Sequence, residues 1–159
     1  MRKTIVFVVM GLILFSLSGC VVFQKVMNVS GNWIVELENL SAISQMRAIV
    51  NEPSSSRATW VYAPLKITQN GNTLTGTLYL LNFETSVSGT IGEDDSFEIE
   101  GSLPLMDSQR IDERAASIFV MNGKATGNKS LFNKLATKIE GKFYPKSNPS
   151  DYIEFEATR

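Results

Sequence analysis

The chain has 159 residues, 43% of them hydrophobic and 19% charged, with 15 basic and 16 acidic side chains, one cysteine and no histidine. That inventory excludes zinc centres built from histidine and cysteine, Ser-His-Asp triads, Cys-His dyads and internal disulfides. The length suits one domain with a real core, and a net charge of -1 gives no electrostatic case for nucleic-acid binding.

At the start, Arg2 and Lys3 are followed by thirteen uncharged, mostly apolar residues, Ile5 to Leu17. A membrane-spanning helix needs about 20 apolar residues, so this stretch is expected to be the core of an N-terminal signal helix. It ends in Leu17-Ser18-Gly19-Cys20. That tetrad resembles the lipobox of bacterial lipoproteins, an aliphatic residue and two small ones before a cysteine. The resemblance implies that residues 1–19 are a signal peptide, and that Cys20 carries a thioether-linked diacylglycerol and an acylated (palmitate-type) amino terminus. The partner so implied is the membrane of the cell envelope. Val21, in place of aspartate after the cysteine, implies the outer membrane, on its periplasmic face, in a Gram-negative organism. Otherwise the implied place is the outer face of the cytoplasmic membrane.

Without residues 1–19, thirteen basic and sixteen acidic residues remain, a net charge of -3. Such a domain has no charge-driven reason to lie flat on anionic lipid. Residues 20–30 are expected to be the acylated terminus and a short apolar tether, reaching about 30 Å if extended at roughly 3.3 Å per residue. Its apolar side chains either pack on the domain or dip into the headgroup layer. Residues 31–159 form the single domain.

Period-two patterning dominates that domain. Trp33, Val35 and Leu37 alternate with Asn32, Ile34 and Glu36; Leu65 and Ile67 alternate with Lys66 and Thr68. Asn70-Gly71 supplies a hairpin turn, and Leu74, Gly76, Leu78 and Leu80 follow on one face. The pattern recurs with Val87, Gly89 and Ile91; with Phe97, Ile99, Gly101 and Leu103; with Ile139, Gly141 and Phe143; and with Ile153, Phe155 and Ala157. Asn122-Gly123 marks a further hairpin, joining 117–121 to 124–128 with Ala125 and Gly127 on one face, which makes nine candidate strands.

Two stretches depart from alternation. Ile43, Met46, Ile49 and Val50 are helically spaced behind a possible Ser41 cap, and Ile111, Ala115 and Ile118 are similarly spaced behind Asp107 or Ser108. One or two short helices in loops are therefore expected, with a weaker third between Ser130 and Ala136. Gly76, Gly89, Gly101, Gly127 and Gly141 share the apolar register at gaps of 13, 12, 26 and 14 residues. Repeated inward glycine marks tight bends where a sheet coils and closes, so the expected fold is all-β, an up-and-down antiparallel meander barrel of about eight strands. A sandwich with turn glycines is the alternative.

Gly31-Asn32-Trp33 on the first strand, a long connection and then a regular meander resemble the calycin superfamily of lipocalins, fatty-acid-binding proteins and avidins. Asn72-Thr73-Leu74-Thr75-Gly76-Thr77-Leu78-Tyr79 is similar to an avidin strand. The resemblance implies that Trp33 sits at the barrel base under a basic residue, Arg159 or Lys142. It does not extend to biotin, because avidins line that site with several tryptophans and this chain has two.

No catalytic, metal or cofactor constellation stands out. Glu93-Asp94-Asp95 reads as a solvated turn, and the pairs Glu98/Glu100 and Glu154/Glu156 as an outer face that protects edges and solubility. The aromatic lead is Trp60 and Tyr62. With β-pairing unbroken at Pro64 they point outward; a bulge there would turn them into the barrel mouth, beside Ile43, Met46 and Ile49. The expected function is therefore non-enzymatic: an envelope lipoprotein holding a small apolar ligand in or at the mouth of the barrel. The alternative is a barrel filled by its own side chains and acting on an envelope protein partner as protease inhibitor, scaffold or assembly factor.

Overall fold

A computed structural model describes residues 26–38, 60–80, 83–107, 110–130 and 133–159, and of residues 104–107 and 110–116 the backbone alone. The signal helix, Cys20 and the helix expected over 41–50 lie outside these residues. Eight strands follow in order: β1 (Gly31–Glu38), β2 (Trp60–Asn70), β3 (Thr73–Leu80), β4 (Phe83–Ile91), β5 (Ser96–Asp107), β6 (Arg110–Lys129), β7 (Lys134–Pro145) and β8 (Ile153–Thr158). Each pairs antiparallel with the next, and β8 returns to β1 through Val35↔Ala157 and Leu37↔Phe155, closing the barrel.

Alternation decides what enters the barrel. Trp33, Val35 and Leu37 are buried while Asn32, Ile34 and Glu38 face out. On β2 the ladder runs through Pro64, which pairs with Ile34, so Ala63, Leu65 and Ile67 keep their inward parity. The interior is filled by large side chains: Trp33, Phe97, Phe119 and Phe143 are each no more than 1% exposed. Phe119 stacks on Phe143 with ring centroids 5.1 Å apart.

The first hairpin differs by one residue from the expected Asn-Gly turn. Asn70 pairs with Thr73, so the loop is Gly71-Asn72, with φ 61° at Gly71 alone. A glycine at the first central position is the type II′ pattern, whereas type I′ needs positive φ at both. Asn122-Gly123 is not a turn. Asn122 pairs with Glu98 on one side and Lys142 on the other, and Gly123 with Phe97 and Gly141, so a turn there would orphan both ladders. The two expected segments merge into β6, and nine candidate strands become eight.

Gly127 does not share the inner face with Ala125, since the β6–β7 register shifts between Thr126 and Gly127 and leaves it exposed. Gly123 takes the inward place. A Cβ on Gly123 would overlap the Glu140 carbonyl and one on Gly141 the Asn122 carbonyl, so glycine at both positions lets β6 and β7 approach closely.

The helix expected between Leu103 and Ser117 is absent. β5 and β6 continue past the barrel as a two-stranded ribbon, with Leu105↔Asp112, Met106↔Ile111 and Asp107↔Arg110 and a register shift after Pro104. Pro104 biases the residue before it toward extended backbone, and pairing across the ribbon satisfies groups a short helix would leave open. Nor is there a helix among the described residues 130 and 133–136. Ser130 donates its N–H to the Asn133 carbonyl at 2.9 Å, and β7 begins at Lys134.

Candidate functional site

The end of the barrel where β1 begins is closed by the segment leading into it. Val26, Met27 and Val29 are at most 6% exposed, so the apolar part of the expected tether nearest the domain packs on the domain. Asn28 donates to the Lys134 carbonyl at 2.7 Å and accepts from the Ala136 N–H at 3.0 Å, adding a short parallel bridge beside β7. The Gln69 side chain accepts from the Val29 N–H at 2.8 Å, and Ser30 Oγ accepts from the Gln69 N–H at 2.9 Å. Trp33 donates its indole N–H to the Val29 carbonyl at 2.8 Å.

Arg159 lies over the Trp33 ring, 4.5 Å from its centroid, and donates to the Asn28 carbonyl at 3.2 Å. Burial draws its guanidinium below the ordinary arginine value. Lys142, the other basic residue considered for this place, instead sits 3.8 Å over the Tyr152 ring on the outer face. The base is thus a plug, held by stacking and by backbone carbonyls, with its polar groups engaged.

The β4–β5 turn lies at the same end and is not simply solvated. Asp95 is 3% exposed with φ 67°, a conformation that Asp tolerates better than most residues. One carboxylate oxygen meets Lys129 Nζ at 2.6 Å, while Oδ1 is buried without a hydrogen-bond partner. Its neighbour Asp94 accepts from the Ser96 N–H at 3.2 Å, and bonding to Ser96 holds its carboxyl below the usual aspartate value. Among the described residues, no three acidic or cysteine side chains converge as a metal site would require.

Trp60 and Tyr62 are 50% and 61% exposed on the outer face, because β2 carries no bulge at Pro64. They do not line the barrel mouth. Ile43, Met46 and Ile49, expected beside them, lie outside the described residues, as does Cys20. Trp33 is at the closed base, at the opposite end from Trp60.

What Trp60 does border is a groove of about 790 Å³ across the outer face of β1, β8 and β7. Glu36, Glu38, Glu140, Glu154 and Glu156 line it together with Lys142. Barrel closure makes this cluster: Glu36 stands opposite Glu156, and Glu156 opposite Glu140, three carboxylates in one transverse row. Lys138 bridges two of them, at 2.6 Å from Glu140 and 2.9 Å from Glu156, and these bonds, Glu140 first, raise the Lys138 pKa. Sequence parity marks each glutamate as outward but gives no sign that β1 and β7 flank β8, so the groove is legible only in the closed barrel.

No protein-family model matches this chain, and no curated protein matches it significantly. The fold therefore defines the class at one level, an eight-stranded antiparallel closed meander barrel.

Proposed function

We propose that this chain is a calycin-like lipoprotein of the bacterial envelope that acts through the outer surface of a filled barrel, as a protein-binding module. The reading is non-enzymatic and invokes no cofactor. The observation that carries it is the packed interior: Trp33, Phe97, Phe119 and Phe143 occupy the space a carrier would leave for its ligand, and Phe119 fills the gap left by Gly101. The outward placement of Trp60 and Tyr62 adds support, since it removes two aromatic residues from the expected ligand entrance. The basic start, the thirteen-residue apolar stretch and Leu17-Ser18-Gly19-Cys20 support the anchor.

A titration of a soluble form beginning at Val21 with fluorescent fatty acids tests the reading. The expected result is no saturable binding. Stoichiometric binding with displacement by unlabelled fatty acid would overturn the filled barrel in favour of a carrier of small apolar ligands.

A further inference from the structure

The groove between β1, β8 and β7 concentrates the net charge of the domain. Five glutamates and Lys142 line it, and Lys138 pairs with two of the five, a balance of -3; with residues 1–19 removed, the rest of the chain has eleven acidic and eleven basic residues. Like charges directly opposite each other on a sheet destabilise it, yet Glu36, Glu156 and Glu140 stand in one row. Lys138 compensates the Glu140–Glu156 contact. Lys142 is turned to Tyr152, and among the described residues Glu36, Glu38 and Glu154 have no basic partner.

Beside these carboxylates lies Trp60, half exposed, an aromatic ring on which a cation can stack. Carboxylates without a basic partner among the described residues, beside a half-exposed indole, together match a planar guanidinium, which takes bidentate carboxylate bonds and stacks on aromatic rings. A volume of about 790 Å³ lies in the range of ligand-binding clefts, so the groove can receive several side chains.

We propose that this groove docks an arginine-bearing segment of a partner protein, with Glu36, Glu38 and Glu154 pairing its guanidinium groups and Trp60 stacking on one. The proposal rests on the reading of a barrel that acts through its outer surface and names the chemistry of its partner. The anchor leaves the groove open to such a segment, because the tether enters at the opposite, closed end.

The test uses the full acylated chain in a neutral-lipid nanodisc and a fluorescein-labelled octa-arginine peptide, followed by anisotropy. Binding is expected to be saturable and salt-sensitive, and about tenfold weaker in the triple variant Glu36→Gln/Glu38→Gln/Glu154→Gln. Glu84→Gln/Glu98→Gln/Glu100→Gln, the same charge change on other strands, is expected to bind as the unaltered protein does. Trp60→Ala should weaken octa-arginine more than octa-lysine. Relief of the glutamate row should leave the melting temperature of the first triple variant equal or higher, which separates lost binding from lost folding.

Equal weakening by the two triple variants would mean attraction to net charge alone and would overturn the proposal, as would no binding. Tighter peptide binding in Arg47→Ala/Arg57→Ala would overturn it too, because the chain's own arginines would then be the occupant. The fatty-acid titration reads the interior, so a carrier and an inert groove give different results.

Discussion

A Cβ placed on Gly101 would lie 2.7 Å from Phe119 Cζ and 3.0 Å from Val87 Cγ1. Gly101→Leu is therefore expected to cost about 1 to 3 kcal/mol by overpacking, read as a lower urea midpoint. An unchanged midpoint would mean that the interior has room that the packing denies. At Asp95 two effects are separable. The residue has φ 67° and an ion pair to Lys129, whose side chain is 57% exposed. Both Asp95→Ala and Asp95→Gly lose the pair, but only alanine suffers the left-handed backbone, so Asp95→Ala should be the less stable by about 1 kcal/mol. Equal melting curves would refute the strain. The inward role of Gly101 was legible from parity, whereas the burial of Asp95 was not, because local sequence makes Glu93-Asp94-Asp95 an ordinary polar turn.

At the scale of elements, alternation identified the inward faces of β1 to β5, β7 and β8 because the side-chain period of two is a local property. It failed where local grammar and pairing disagree. Asn-Gly is a strong turn signal, yet at 122–123 the strand is held on both sides and runs on. Ile111, Ala115 and Ile118 have helical spacing, yet the backbone pairs as a ribbon. Among the described residues no further strand lies beside that ribbon: β4 reaches along β5 only to Gly101, and β7 along β6 only from Phe119. An isolated two-stranded ribbon contributes little stability. Replacing residues 104–116 with a two-residue Asn-Gly turn between Leu103 and Ser117 should therefore leave the melting temperature within about 3 °C of the original. A larger fall would show that the ribbon supports the barrel.

For the whole molecule, if Cys20 is acylated as proposed, the closed base and the point of chain entry would set the orientation at the membrane. Five residues separate Cys20 from Val26, which packs in the base. Fully extended they span at most about 20 Å, so an acylated Cys20 would hold the base toward the bilayer and turn the ribbon and the mouth away. A fluorophore on Asn72→Cys, in the β2–β3 loop at the base, should transfer energy to a headgroup-labelled lipid more strongly than one on Asn148→Cys, between β7 and β8. Equal transfer would refute this orientation. Cys20→Ala, followed by detergent-phase partitioning, tests the anchor itself, and normal partitioning of that variant would refute it.

The amino-acid sequence by itself determined the inward and outward faces of the strands other than β6, because that choice depends on neighbours one residue away and on the cost of burying polar groups. It also placed Trp33 at the start of the first strand, from which closure could put it at the base. Only the tertiary structure decided that Arg159 rather than Lys142 covers Trp33, that β6 runs through Asn122-Gly123, and that Phe119 and Phe143 meet inside. The glutamate groove belongs with these. Glu36 and Glu156 are 120 residues apart in the chain and become neighbours when β8 closes on β1, and a long-range register of that kind is carried by the whole set of pairings rather than by any one strand.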